Sequence, residues 1–239
     1  MTSEELKTYI NDYCKANANE ANVVKYSRFF KDGPFVGYGL TAPQMYALVK
    51  DLLKIKNVSF ESVLEASPAM LKSDMYEDIT IAILLLNGFG KQYTKPLFKE
   101  IASWYTFTIR NWAHADALGM FILPQFLKYK VIDYRDFDTW MTSEYKFQRR
   151  SVPVTLIKLL KSKTIDNFNP IFIFLEPLIT DSEREVHQGM GWFLKEAWKL
   201  KPDQTEAFLF KWKNTAPRLM INYATEKMTK EQKLRFKRD

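Results

Sequence analysis

The sequence has few of the residues on which metal and nucleophilic chemistry depend. Its 239 residues include one cysteine, Cys14, and two histidines, His114 and His187. A single cysteine cannot form a disulfide within the chain, which predicts a reducing compartment, the cytoplasm. Neither the HExxH spacing nor any paired-cysteine spacing of a zinc site occurs. We therefore expect no metal, no cofactor and no Cys–His or Ser–His–Asp catalysis.

Long apolar runs and helix-breaking residues are also scarce. The longest apolar stretches, 79–86 and 170–175, are well short of the roughly 20 residues that cross a bilayer, so no membrane partner is expected. Residues 1–13 are acidic and polar and predict a helix, not a signal peptide. Only 8 glycines and 10 prolines interrupt the chain, and no alternating pattern is long enough for a sheet. These features predict an all-α protein.

The chain does contain an ordinary globular core and an excess of positive charge. Hydrophobic residues make up 46% and aromatic residues 15% of the sequence, which is too much apolar surface for a disordered chain. The formal net charge is +7. A charge of this size favours a polyanionic partner, either nucleic acid or anionic lipid, without choosing between them.

Capping residues and helical periodicity divide the chain into short segments. Thr2 with Glu5 and Ser182 with Glu185 form capping boxes, and Pro43 follows Thr41 in the first turn of another helix. A proline at position 153 is expected to kink or break its helix. The predicted helices begin at Thr2 and then cover 19–30, 41–55, 59–66, 74–86, 95–105, 111–122, 134–141, 143–161, 169–179, 182–200, 202–213 and 217–227, before a basic stretch at 230–238.

The loops between these segments are short, which makes neighbouring helices antiparallel. Two helices per roughly 40 residues is typical of HEAT-like repeats. No composition shift marks a linker. We therefore predict one domain, 1–239, built as a curved superhelical stack of antiparallel helix pairs, with an irregular helical bundle as the alternative. Such arrays commonly bind extended partners on a concave side.

Two tryptophans lie on polar helix faces. Trp192 lies opposite the apolar stripe of segment 182–200. Trp112 and Asp116 are one helical turn apart, opposite the apolar side of segment 111–122, where His114 is a core or boundary residue and Gly119 leaves space. Each indole either packs on a neighbouring helix or is presented to a ligand. The stripe opposite Trp192 consists of Val186, Met190, Phe193, Leu194 and Ala197.

A third element, Gln148-Arg149-Arg150, follows Lys146 in a basic segment. Arginine side chains suit phosphate contacts, because the planar guanidinium donates several hydrogen bonds at once. The alternative is a solvated basic turn.

In these elements the chain resembles the AlkD-like family of DNA alkylation repair glycosylases, over nearly its whole length. No single element is very specific, and the resemblance rests on their order and separation along the chain. The matching pieces are Lys25-Tyr26, Gly39-Leu40 with Pro43, Asn111-Trp112 with Asp116, Gln148-Arg149, and Met190-Gly191-Trp192 followed by Lys201-Pro202-Asp203.

The resemblance implies a curved HEAT-like array that holds duplex DNA and hydrolyses the N-glycosidic bond of cationic N3- and N7-alkylpurines, without a tight base-flipping pocket. It implies that Asp116 is the catalytic carboxylate and that Trp112 and Trp192 assist it. The DNA-contacting residues would be Tyr26 and Arg149. We add Arg150 and Lys146 to these contacts from their position in the basic segment.

One departure from the family pattern concerns the residue after the first tryptophan. Typical members carry a second acidic residue there, and this chain has Ala113. A non-catalytic relative that recognises bent or branched DNA is therefore the alternative function, and a helical-repeat scaffold for a protein is the third. We expect a cytoplasmic monomer that associates with the nucleoid.

Overall fold

The computed structural model describes residues 1–30, 33–162 and 165–238. These residues form helices and no strands, which confirms the all-α prediction. They group into two compact units, Met1–Ala117 and Leu118–Asp239. The boundary falls inside a helical stretch, between Ala117 and Leu118. Within the described ranges, no helix combines the length and the apolar character that crossing a bilayer requires.

The first unit contains seven α-helices and one 3-10 turn among its described residues. Helices α1 and α4 both pack on α5, and α3 and α7 also contact it, so α5 is the central helix of the unit. The elements are α1 Ser3–Ala16, α2 Glu20–Ser27, α3 Ala42–Leu52, α4 Phe60–Leu71, α5 Tyr76–Asn87, a 3-10 turn Gly90–Gln92, α6 Lys95–Phe107 and α7 Trp112–Ala117.

The second unit is organised around its longest helix, α11, which packs against both α9 and α13. The unit opens with a π-helical segment, Leu118–Ile122, that continues directly from α7. Its other elements are α8 Leu123–Lys128, a 3-10 helix Tyr134–Trp140, α9 Lys146–Lys161, α10 Asn169–Leu175, a 3-10 turn Glu176–Leu178, α11 Arg184–Leu200, α12 Pro202–Trp212, α13 Arg218–Ala224 and α14 Lys230–Leu234.

Two of the three helix starts that were predicted from capping residues are confirmed. Thr2 and Glu5 exchange side-chain hydrogen bonds with each other's backbone N–H groups, and Thr41 caps α3. The capping box at Ser182 is wrong, because α11 begins only at Arg184. Asp181 replaces it: its Oδ1 accepts a hydrogen bond from the backbone N–H of Glu183 at 2.8 Å. That bond stabilises a turn where the helix was expected to begin.

A buried carboxylate, Glu77 of α5, fixes the loop before α3. It accepts hydrogen bonds from the backbone N–H groups of Tyr38, Gly39 and Leu40, at 2.8, 2.8 and 3.0 Å. Gly39 has a φ of +82°, and a Cβ there would lie 2.1 Å from the Asn19 carbonyl oxygen. Only glycine fits this position. The Glu77 carboxylate therefore holds in place a loop that lies 37 to 39 positions away in the chain.

The fold differs from the sequence-based helix assignments in the middle of the chain. Helix α9 runs unbroken through Pro153, so the expected break is wrong. Residues 150–157 are all buried, and this packing stabilises a helix that lacks one backbone hydrogen bond. Helix α8 was not predicted, and the segment expected as a helix at 134–141 is a 3-10 helix.

Candidate functional site

A buried hydrogen-bond network fixes the start of α7. The Asn111 side-chain oxygen accepts a hydrogen bond from the backbone N–H of His114 at 2.9 Å, and its amide nitrogen lies 2.9 Å from His114 Nδ1. His114 Nε2 lies 3.1 Å from the Tyr76 carbonyl oxygen, and the two rings stack at 4.7 Å. The neutral tautomer with its proton on Nε2 satisfies both contacts. His114 is therefore a core residue that holds the helix carrying Trp112 against α5.

The network makes stability depend on pH. Burial lowers the pKa of His114 from 6.5 to about 4, although the hydrogen bond to Tyr76 opposes the shift. A lowered pKa means that the stabilisation is present above pH 6.5 and is lost as pH falls towards 4. Between pH 7 and 5 we expect the free energy of unfolding to drop by about 2 kcal/mol from this group. Urea unfolding at both pH values measures it, with His114→Gln as the reference. Identical pH dependence in both proteins would contradict the assignment.

The Trp112 side chain combines packing with exposure. Its indole Nε1–H donates a hydrogen bond to the Phe29 carbonyl oxygen at 3.2 Å, and the indole stacks on the Phe30 ring at 5.8 Å. The residue is nevertheless 39% exposed. Both interpretations of the sequence therefore hold in part: the indole is fixed by the chain after α2, and part of it is open to a ligand.

Asp116 lies one helical turn beyond Trp112 and is partly buried. Four residues of α-helix advance by about 6 Å, so the carboxylate and the indole belong to neighbouring positions on one helix face. The helix changes to π-type at Leu118, directly after this turn. Insertions of π-helix are frequent at functional sites.

A cavity of about 830 Å³ opens beside Trp112, entirely within the first unit. Its walls include the rings of Phe30, Phe35 and Tyr76. Tyr26 joins this aromatic cluster through an edge contact with Phe35 at 5.9 Å. The structure thus places the predicted Tyr26 and Trp112 in one cluster. The other three rings were not predicted from the sequence. The aromatic density of the 26–35 stretch indicates Phe30 and Phe35, whereas no local pattern indicates Tyr76.

The two predicted arginines of the second unit, Arg149 and Arg150, bind carboxylate and carbonyl groups of the protein itself. Arg149 forms a two-point ion pair with Asp181, at 2.6 Å and 3.1 Å, and donates to the Ser143 carbonyl oxygen at 2.6 Å. Arg150 is 6% exposed and donates to the Glu185 carbonyl oxygen at 2.7 Å. This placement does not support the predicted DNA contact by Arg150, because a buried guanidinium cannot reach an external phosphate.

The remaining predicted residues of this unit are Lys146, Trp192 and Gly119. Lys146 lies between two carboxylates, 3.7 Å from Glu183 and 3.2 Å from Glu185. Trp192 is partly exposed on α11. Gly119 is buried, and a Cβ there would lie 2.8 Å from a methyl carbon of Val154. The expectation that Gly119 leaves open space is therefore wrong, since its missing side chain allows close packing on α9.

Comparison with known proteins identifies the family of the chain. The sequence model of the family described as DNA alkylation repair enzyme matches residues 10–228, and the chain belongs to that family. A predicted DNA alkylation repair enzyme from Enterococcus faecalis has a similar structure, with a TM-score of 0.74, 19% identity, and coverage of 89% of this chain and 97% of that one. AlkD2 from Streptococcus mutans gives a TM-score of 0.57 at 18% identity, over 88% and 99% of the two chains. A search of curated proteins finds no match.

Proposed function

We propose that this protein is a DNA glycosylase that hydrolyses the N-glycosidic bond of cationic N3- and N7-alkylpurines in duplex DNA. The observation that carries the proposal is the pair on α7, an indole that is 39% exposed and a carboxylate one turn further on. Membership of the DNA alkylation repair family supports the choice of substrate. Trp192 and Arg149 belong to the second unit, and the roles that the resemblance gives them stay predictions.

A single carboxylate suffices for this reaction because the leaving group already carries a positive charge. When the bond from C1′ to the purine nitrogen breaks, its electron pair neutralises the base, so no acid has to protonate it. The sugar becomes oxocarbenium-like. The Asp116 carboxylate can stabilise that charge and accept a proton from the water whose oxygen bonds to C1′. The face of the Trp112 indole attracts the same positive charge.

Single-turnover assays on three duplexes test the proposal. With protein in excess, we expect release of 7-methylguanine from a duplex containing 7-methyldeoxyguanosine. Duplexes containing uracil or only normal bases should release nothing measurable, because their bases are uncharged and leave slowly. Saturable binding of the methylated duplex without base release would instead establish the alternative, a non-catalytic DNA-binding relative, which Ala113 favours.

The phosphate contact predicted for Arg149 can be tested with its ion-pair partner as control. If Arg149 binds a phosphate, Arg149→Ala should reduce the slope of log Kobs against log salt by about one. Asp181→Asn breaks the same pair but keeps the arginine charge, so the slope should be retained. Fluorescence anisotropy with a labelled duplex measures both. Equal slopes in wild type and Arg149→Ala would reduce Arg149 to a structural role.

A further inference from the structure

Positive charge is concentrated in residues 227–239, which we call the basic segment. The segment contains six lysines and arginines against two acidic residues, Glu231 and Asp239, so it carries +4 of the formal net charge of +7. The family model matches residues 10–228, so almost all of the segment lies outside the matched residues. The family pattern therefore assigns no role to it. Its cations are Lys227, Lys230, Lys233, Arg235, Lys237 and Arg238.

The basic segment is folded against α12 and α13. The Phe236 ring is completely buried and stacks on Phe210 at 4.6 Å. Arg218 donates a hydrogen bond to the Phe236 carbonyl oxygen at 2.8 Å, and Arg238 donates one to the Ala216 carbonyl oxygen at 3.2 Å. Because these contacts already fix the backbone, the side chains of the segment bind a partner at a lower entropic cost than those of a disordered tail.

Neighbouring carboxylates neutralise only part of the charge of the basic segment. Arg235 pairs with Glu206 at 2.9 Å, and Lys227 pairs with Glu226 at 2.9 Å. Glu231 is exposed within the segment itself. The other four cations are exposed and form no ion pair among the residues that the structure describes: Lys230, Lys233, Lys237 and Arg238.

The apolar residues of the basic segment favour nucleic acid over a membrane as its partner. A helix that lies on a membrane buries a broad apolar face among the lipids. Helix α14 has only five residues, Lys230–Leu234, and Met228 and Phe236 on either side of it are buried in the protein. Leu234 is exposed, but one side chain does not make an apolar face. Cations without such a face suit the phosphates of a nucleic acid, which attract lysine and arginine through charge alone.

We propose that the basic segment is an accessory phosphate-binding surface for duplex DNA, with Lys230 and Lys237 as its principal contacts. Lys233 and Arg238 already donate to backbone carbonyl oxygens, whereas Lys230 and Lys237 have no hydrogen-bond partner in the described part of the chain. The choice of duplex DNA rests on the proposed function. Phosphate contacts carry no sequence information, so the surface adds affinity for damaged and undamaged duplex alike. Such contacts let a protein move along DNA in search of a lesion.

Salt-dependent binding to an undamaged duplex tests this surface without catalysis. The double variant Lys230→Gln/Lys237→Gln removes two charges from exposed side chains and leaves the Phe236 anchor in place. We expect the slope of log Kobs against log salt to decrease by about 1.8, since each lost phosphate contact lowers it by about 0.9. At 0.1 M salt the affinity should fall about tenfold or more. Fluorescence anisotropy with a labelled duplex measures both quantities.

A second double variant controls for net charge. Lys128→Gln/Lys130→Gln removes the same charge from exposed positions at the end of α8, in the same unit. Its slope should equal that of wild type, because charge that does not contact a phosphate releases no counterion. Wild-type slope in Lys230→Gln/Lys237→Gln overturns the inference. The same decrease in both double variants also overturns it, because the slope would then follow net charge and not a contact.

Sedimentation with vesicles of phosphatidylcholine and phosphatidylserine tests the other class of polyanion. We expect Lys230→Gln/Lys237→Gln and wild type to sediment equally with these vesicles. Vesicle binding that is lost in this variant, together with an unchanged slope on DNA, would assign the basic segment to anionic lipid and overturn the inference.

The excision assay distinguishes this inference from the proposed function. A reduced slope in Lys230→Gln/Lys237→Gln, without release of 7-methylguanine by wild type, would keep the DNA surface and remove the glycosylase. Release of 7-methylguanine by wild type, with the same slope in both proteins, would keep the glycosylase and remove the surface.

Discussion

Asp116→Asn is expected to slow the release of 7-methylguanine from duplex DNA by on the order of 10²- to 10³-fold, the loss typical of removing one preorganised group that stabilises transition-state charge. The substitution keeps the shape of the side chain and removes only its negative charge. That charge is needed when the sugar becomes cationic, after the substrate has bound. We therefore expect the affinity for the methylated duplex to change little.

A matched carboxylate provides the control for this experiment. Asp51 is an exposed residue of α3 whose side chain pairs with Lys54 at 2.8 Å. Asp51→Asn makes the same chemical change in the same unit and should leave the single-turnover rate within about twofold, as surface substitutions usually do. If Asp116→Asn releases the base as fast as Asp51→Asn, the carboxylate has no part in catalysis and the mechanism proposed above is wrong.

Gly191→Ala is expected to destabilise the protein, although alanine is the better helix former. Helix α11 contacts α13 so closely that a Cβ at position 191 would lie 2.4 Å from Tyr223 Cβ and 2.8 Å from the Met220 carbonyl oxygen. The carbonyl oxygen is part of the α13 backbone and the Cβ is bonded to it, so neither atom can move unless the two helices separate. Overpacking of this kind costs about 1–3 kcal/mol, which lowers the melting temperature by about 2–12 °C for a chain of this size.

The control for this substitution is the C-cap glycine of α5, which has helical backbone angles and a flexible neighbour. At Gly88 the added Cβ would lie 2.8 Å from a terminal methyl carbon of Leu53, which can rotate away. We expect Gly88→Ala to change the free energy of unfolding by less than about 1 kcal/mol. Thermal and urea unfolding of both variants measure the difference. A Gly191→Ala protein as stable as wild type would show that α13 moves at no cost.

Helix α11 shows how far periodicity carries a prediction. Its apolar stripe was identified correctly: Val186 and Phe193 are fully buried, as are the other members of the stripe. The opposite face was predicted to be polar around Trp192, with the indole either packed on a neighbouring helix or presented to a ligand. Glu196 on that face is buried and pairs with Lys199 of the same helix and with Lys161 of α9. A helix wheel identifies the more apolar side, but it cannot show that a second helix covers the polar side.

Arg149 and Arg150 show a second limit of prediction from sequence. The two residues are chemically identical and adjacent, and the sequence predicted a DNA contact for both. In the structure they have different partners, the Asp181 carboxylate for one and the Glu185 carbonyl oxygen for the other. Both partners lie more than 30 positions away in the chain. Residue type shows what a guanidinium can bind, but only the tertiary structure shows which group it meets first.

The amino-acid sequence by itself determined the helical class, most helix positions, the buried stripe of α11 and the pairing of Trp112 with Asp116 on one helix face. All of these depend on chemistry within a few positions of the chain, namely side-chain periodicity and end capping. The tertiary structure alone decided the aromatic cavity, the burial of Arg150 and the loop held by Glu77. These features join residues tens of positions apart, and their contacts depend on how whole helices pack, which local pattern does not encode.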